Sequence, residues 1–277
     1  MKCCYVIPYL EVSESLKSTI GHILAVEGTT VVAVKDVARG TDPADDDDPG
    51  QLKHAISGGL HLLSDGLAKG YTRSVNLGAT WAVRHCDPEL LCIINDDVLM
   101  VGGKIPNLRK MPADAALVGV LSNRAGYQSL QYAFDETGDF VYPERDLASA
   151  ASEHEALLGR VGAKYVHVPL VHGFGFYIRP QVLESLGWLD QRHFPLGYGS
   201  DFDLSIRAEA AGYRNYVWTG DFVWHIGSAS AGRDQRHIRA ITADFALKQI
   251  HGNAYAEAKF KTRVRMNRHT GNYLELA

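Results

Sequence analysis

An α/β fold with a central, mostly parallel sheet is predicted by three features of this sequence. Short apolar runs, Cys3–Tyr9, Thr29–Val34 and Leu91–Ile94, end abruptly in polar or acidic residues, the habit of buried strands. A segment with helical spacing separates the first two, making a strand–helix–strand unit of about thirty residues. The chain has 277 residues, 46% of them hydrophobic and 22% charged, enough for one large domain or a domain with an appendage.

The net charge of −4 supplies no global basic field for nucleic acid. The four cysteines, Cys3, Cys4, Cys86 and Cys92, lack CxxC spacing and read as reduced, buried thiols. No apolar run reaches the length of a membrane span, and the N-terminus carries no signal-type pattern, so a cytoplasmic protein is expected, with peripheral membrane attachment as the second reading.

In chain order, Cys3–Tyr9 is a strand closed by Pro8, which cannot donate to a sheet ladder. Ser13 is placed to cap a helix over about Glu14–Ala25, with Leu16, Ile20, Ile23 and Leu24 on one face. Thr29–Val34 is the second strand, ending at Lys35 and Asp36. Ligand crevices of parallel sheets lie at the carboxyl ends of strands, so Pro8, Tyr9, Asp36, Asp96 and Asp97 should share one rim. The acids Asp45–Asp48 should form a solvated loop, because like charges this close repel.

Leu52–Leu67 has helical spacing, interrupted by Gly58, Gly59 and Gly66. Ser74–Arg84 reads as a helix reached through Gly70 and Tyr71. Asn76 and Gly78 are unusual inside it and suggest close backbone approach to a ligand. Ala115–Leu121 is a strand, Ser122–Gln128 a polar loop and Tyr132–Tyr142 a strand pair. Asp146–Val161 is a mostly polar helix, expected as a flap over the site. Val166–Val171 leads into the glycine-rich, aromatic stretch His172–Ile178, and a helix over Pro180–Leu186 breaks at Gly187.

Ser200 is positioned to cap a helix running to Ala211, with Gly212 as its αL terminator. Asp201 and Asp203 in its first turn suit the helix dipole, a sufficient structural reason for either. Tyr216–Trp218 and Asp221–Trp224 should flank a turn, followed by His225, a residue type that at such positions more often has a structural role. From Gly232 the chain carries nine Lys and Arg against four acids, about +5, leaving about −9 for the rest. Ile238–Ile250 is helical. The reading is therefore a main domain over residues 1–230 and a basic helical extension, 231–277, packed on it.

The sharpest feature is Asn95-Asp96-Asp97 at the end of an apolar strand. Carboxylates there are costly unless something positive meets them, and a divalent cation with hard oxygen ligands is the usual partner. Turn-forming Asp residues are the plain alternative.

Together these segments resemble the family-2 glycosyltransferases, inverting enzymes of the GT-A fold, over roughly Cys3–Ser228. Val6-Ile7-Pro8-Tyr9 is similar to the family's opening strand, and Asp36 to its base-binding acid. Asn76-Leu77-Gly78 resembles its N-x-G helix, and Asn95-Asp96-Asp97 its DXD-type motif. Gly173–Arg179 followed by Gly187-Trp188-Leu189-Asp190 is similar to the acceptor-side segment. Asp201-Phe202-Asp203-Leu204 with Arg207 and Gly212-Tyr213 resembles the E-D-x-D-L signature, and Trp224-His225 the histidine beyond it. Three positions depart from that pattern: Asn95 for an acid, Ser200 for Glu, and Trp188 for a small residue.

The resemblance implies a metal-dependent, inverting, hexosyltransferase-type enzyme using a nucleotide diphosphate sugar, UDP-sugar by family frequency. Asp97 and His225 would hold Mn²⁺ or Mg²⁺, since mixed oxygen and imidazole ligation suits Mn²⁺. Asn95 or Asp96 would bind the ribose. Pro8, Tyr9 and Asp36 would seat the base, with Arg73 the weaker candidate. Asp201 would be the catalytic base. His172, Gly173, Phe174, Trp188 and Asp203 fall on the sugar and acceptor side, Asp203 as an ordering or capping residue and Trp188 as a stacking surface. The acceptor is expected to be a glycan or lipid-linked glycan, with protein or modified nucleic acid as minority readings. Two rivals stand beside this one: a nucleotidyltransferase, and a binding module for nucleotide sugars or glycans that has lost catalysis.

Overall fold

The computed structural model describes residues 2–36, 53–64, 70–101, 111–123, 125–130, 146–227 and 233–258, with backbone alone at 53–56 and 233–240. The acids Asp45–Asp48, the expected strand pair at Tyr132–Tyr142 and the tail beyond 258 lie outside the described residues.

The elements in chain order are β1 (Cys3–Tyr9), α1 (Glu14–Leu24), β2 (Thr29–Lys35), β3 (Lys53–Ser57), β4 (Leu60–Ser64), α2 (Tyr71–Cys86), β5 (Leu90–Ile94), β6 (Val98–Met100) and β7 (Ala115–Ser122). After them come α3 (Leu147–Val161), β8 (Tyr165–His167), β9 (Gly175–Ile178), α4 (Pro180–Ser185), α5 (Ser200–Ala210), β10 (Arg214–His225) and α6 (Arg233–His251). They form one sheet of order β3-β4-β2-β1-β5-β9-β7-β10-β6, with β8 also on β10. The block β4-β2-β1-β5 is parallel, and β9 is inserted antiparallel between β5 and β7.

Alternation along β1 divides the core into two layers. Cys4 and Val6 face the layer that holds α2, with Val32, Val34 and Ala79. Cys3, Tyr5 and Ile7 face the layer that holds α1, with Leu16 and Ile23. Ser13 caps α1 as expected, its Oγ accepting the Leu16 N–H at 3.1 Å. Cys3, Cys4 and Cys92 are buried free thiols, and Cys86 is half-buried.

Several expectations are corrected. Within the stretch expected to be helical, the described residues 53–64 are a hairpin of β3 and β4. Gly58 and Gly59 have φ of 53° and 85°, the double positive φ of a two-residue hairpin turn. Apolar spacing over a short run fits either period, and the glycine pair decides it. Tyr216–Trp224 contains no chain-reversing turn. It is the middle of one long strand, β10, irregular between Trp218 and Phe222. Ser200 is not the cap of α5. Gly199 is, and the Ser200 hydroxyl donates to Gly197 O at 2.7 Å.

The helix expected as a flap, α3, is packed instead: Ala150 and His154 are buried, and His154 Nε2 lies 2.9 Å from Thr219 O on β10. At the C-terminal end, Leu247, Tyr255 and Ala258 join the α2-side core. Among the described residues, no helix is long and apolar enough to cross a membrane.

Asn76 and Gly78 serve packing rather than a ligand. The Asn76 side chain donates to Leu189 O at 2.8 Å and accepts from Leu189 N at 3.2 Å. A Cβ on Gly78 would come within 2.7 Å of both Val34 Cγ2 and Val6 Cγ1, so this glycine lets α2 lie close on the sheet. Gly78→Ala is expected to destabilise the fold by about 1–3 kcal/mol through overpacking. A urea titration with unchanged m-value would measure it.

Candidate active site

Parallel strands deliver their carboxyl ends to one rim. β1 ends at Tyr9, β2 runs into Asp36, and β5 stops at Ile94 just before Asn95-Asp96-Asp97. The Asp36 N–H donates to Tyr9 O at 2.7 Å. Asp36 Oδ1 accepts from Gly70 N at 2.8 Å, which ties the rim to the start of α2, where Arg73 sits in the first turn. Pro8, Tyr9, Asp36 and Arg73 are thus grouped at one end of the sheet.

Helix α1 holds the acidic turn from beneath. The Ser15 hydroxyl donates to Asp96 O at 2.9 Å and the Thr19 hydroxyl to Val98 O at 2.5 Å. The β6–β10 pairing sets Val98 opposite His225, and Ile226 N donates to Asp97 O at 3.0 Å. His225 Nε2 is consequently 3.3 Å from Asp97 Oδ1. Phe174 stacks on the His225 ring, centroids 4.6 Å apart and planes 16° apart. Asn123 Oδ1 accepts the His225 backbone N–H at 2.7 Å.

The segment His172–Gly175 runs past this pair to the other half of the site. Asn95 N donates to Phe174 O at 2.8 Å, and Gly173 N donates to Asp201 Oδ2 at 2.7 Å. The second carboxyl oxygen, Asp201 Oδ1, accepts from Phe202 N at 3.0 Å. One short stretch of chain thus touches Asn95, His225 and Asp201. Gln128, fully buried, fixes it from behind: its Nε2 donates to Val120 O and Gly175 O, each at 2.9 Å, and its Oε1 accepts from His172 N at 2.5 Å.

The electrostatics follow burial. Asp201 is pushed up to about 6, with burial as the main cause and backbone donors working against it. Asp96 is also raised to about 6, by burial and then by the charge of Asp97. His172 is lowered to about 4 by burial and by the neighbouring His225, so near pH 7 it is neutral.

Two candidates lie elsewhere. Asp203 is about 200° round α5 from Asp201 and buried. Its Oδ2 accepts from Arg207 Nε at 2.9 Å and from an Arg207 terminal nitrogen at 2.6 Å, and its Oδ1 is 2.7 Å from His251 Nε2. This cluster docks α6 on α5. Trp188 follows α4 with φ of 68°, and its carbonyl accepts from Arg207 at 2.8 Å, which places it beside the same cluster.

Whether a cation fits can be judged from the polar atoms. Asn95 Oδ1 and both ring nitrogens of His225 are buried without a hydrogen-bond partner, a costly arrangement unless a ligand meets them. Asp97 Oδ1 stands beside them. Among the described residues, no group of three or more His, Cys, Asp or Glu side chains is placed to hold a metal. Asp97 and His225 therefore suit an ion whose remaining ligands come with the substrate, as phosphate and water oxygens do.

Sequence reading missed Tyr71, Gln128, Asn123, Ser15 and Thr19. Their roles depend on partners distant in the chain, and no local pattern marks them.

No family model matches the chain. Uncharacterized proteins of Mycobacterium tuberculosis and Mycobacterium bovis are 27% identical over an alignment of 167 residues that covers 57% of this chain and 57% of theirs. The chain thus spans less than two thirds of the curated relatives it matches. Among solved structures, the mannosyltransferase PcManGT of Pyrobaculum calidifontis, in complex with GDP-Man and Mn²⁺, superposes with a TM-score of 0.52 at 13% identity, covering 98% of this chain and 73% of that one. GalNAc-T7 with UDP, GalNAc and Mn²⁺ gives 0.50 at 12%, covering 96% and 55%. These likenesses establish the fold as GT-A.

Proposed function

We propose that this chain is a metal-dependent inverting glycosyltransferase, moving a hexose from a nucleotide diphosphate sugar, a UDP-sugar by preference, to an acceptor hydroxyl. The observation that carries the reading is that Asp201 and His225, the latter beside Asp97, meet on the single stretch His172–Phe174 at the carboxyl ends of the strands. The nucleotides and Mn²⁺ bound by the two structural neighbours are consistent with it. The preference for UDP rests on the family resemblance alone.

In this reading Pro8, Tyr9, Asp36 and Arg73 receive the nucleoside, and Asn95 and Asp96 the ribose hydroxyls. His172, Gly173 and Phe174 line the sugar pocket. Asp97 and His225 would hold Mn²⁺ or Mg²⁺, which supplies positive charge for the departing diphosphate. Asp201, ionised, takes the proton of the acceptor hydroxyl as that oxygen forms its bond to the anomeric carbon. The bond from this carbon to the diphosphate breaks, and its electron pair leaves with the diphosphate. A single base on the face opposite the leaving group is what single-displacement inversion needs. The two backbone N–H groups on Asp201 fix the carboxylate, and its raised proton affinity makes it a stronger base than an exposed Asp. The acceptor is a glycan or lipid-linked glycan.

The test is a product assay with UDP-glucose, UDP-N-acetylglucosamine and GDP-mannose, with and without Mn²⁺. Release of nucleoside diphosphate, dependent on the ion, is expected. Release of pyrophosphate would make the chain a nucleotidyltransferase, and a full panel without turnover would make it a binding module.

A further inference from the structure

We infer that Tyr71 is a positioning residue for the base, acting through the backbone of Gly173; this rests on the reading of Asp201 as that base. The Tyr71 hydroxyl donates to Gly173 O at 2.5 Å, while the N–H of the same residue donates to Asp201 Oδ2 at 2.7 Å. The two bonds hold the two peptide planes that meet at the Gly173 Cα, so the phenol limits how far the N–H can turn from the base.

The rest of the stretch is held as well, by Gln128 on His172 N and Gly175 O and by Asn95 on Phe174 O. Gly173 itself has little room to shift toward the base: a Cβ there would stand 3.3 Å from Asp201 Cβ and 3.4 Å from its Oδ2. Tyr71 is braced in turn. It begins α2 directly after Gly70, which bonds Asp36. A Cβ on Gly197, in the loop leading to α5, would sit 2.7–2.9 Å from atoms of the Tyr71 ring. The phenol is therefore wedged between the rim at Asp36 and the loop ahead of Asp201, and it reaches the base through one residue. Burial and the charges of Asp201, Asp97 and Asp96 push the Tyr71 hydroxyl upward, so it stays protonated and remains a donor throughout the working range.

The charged group acting on Asp201 is Asp203 on its own helix; Asp201 acts in turn on Tyr71 from α2, which also feels Asp97 and Asp96 after β5. Tyr71→Phe removes one hydroxyl and no charge near neutral pH. A donor to an ionised carboxylate lowers its proton affinity, so a misdirected Gly173 N–H should raise that of Asp201.

The experiment follows the Asp201 carboxyl by ¹³C NMR across pH 4–8, the resonance being the one absent from Asp201→Asn, beside hydrogen exchange of the Gly173 amide. Neither readout needs a donor or an ion. In Tyr71→Phe the titration midpoint should move up by about half a unit or more and the Gly173 amide should exchange at least about tenfold faster. An unmoved midpoint in the folded variant would overturn the inference. Should Tyr71→Phe be poorly folded, Gly197→Ala, whose methyl would crowd the Tyr71 ring and push it from its place, provides the second arm: the inference requires faster Gly173 exchange there, and exchange as slow as in the wild type would overturn it. Turnover of Asp201→Asn separates the two readings. Activity retained in Asp201→Asn rejects the base, whereas an inactive Asp201→Asn with a wild-type midpoint in Tyr71→Phe rejects only the positioning role.

Discussion

Asp201→Asn is expected to lower kcat for sugar transfer by about 10²–10⁴-fold, the usual contribution of a positioned general base, while nucleotide affinity stays within about threefold. The substitution keeps size and the bond from one backbone N–H, and removes the capacity to accept a proton. Wild-type kcat/KM should rise with pH through about 6, where Asp201 ionises, and then level off, because only the carboxylate can take the acceptor's proton. The residual activity of the variant should lack that rise. Stability moves the opposite way. The carboxyl sits above its ordinary 3.8 in the folded chain, so between pH about 4 and 6 the unfolded chain releases its proton first. Asp201's contribution to stability therefore falls as pH rises through that window, and the Asn variant loses this component. Initial-rate and chemical-denaturation series over pH 4–8 read both. Near-normal turnover in Asp201→Asn would remove it from the chemistry.

Asp97→Ala is expected to weaken Mn²⁺-dependent UDP binding on the order of 100-fold, a fraction of the several kcal/mol an ion between protein and phosphate supplies. Binding measured in EDTA should hardly change, since the nucleoside contacts proposed for Asp36 and Tyr9 lie on other strands. Calorimetric titration with and without Mn²⁺ separates the two. Wild-type and variant curves that coincide in Mn²⁺ would dismiss Asp97 as a ligand. His225→Ala should weaken the same binding in the same direction, with one difference. His225 is also stacked by Phe174, so its loss frees the aromatic ring and costs stability as well.

Local chemistry made much of this legible in the sequence. Ser13 reads as a cap because a hydroxyl before an amphipathic run has a free backbone N–H to meet, and it meets Leu16. Apolar runs that stop at Pro8-Tyr9, Asp36 and Asn95 read as parallel strands because their polar ends must reach a rim. The hairpin at Gly58-Gly59 was misread, since five-residue strands carry too few positions to distinguish a period of two from one of 3.6. Asn76 was misread for a different reason: its partner, Leu189, is 113 residues away.

The sequence by itself determined the α/β class, the order of the first strands and helices, and which side chains carry removable protons or hard oxygen ligands. These depend on propensity, periodicity and residue chemistry, all local properties. Only the tertiary structure decided that His225 stands beside Asp97, because this follows from the register of β6 on β10. It likewise decided that Asp201 and Asp203, two residues apart, point to different neighbours, and that Tyr71 reaches the base through Gly173. Contacts between residues over a hundred positions apart depend on how the sheet is ordered, and no local pattern encodes that order.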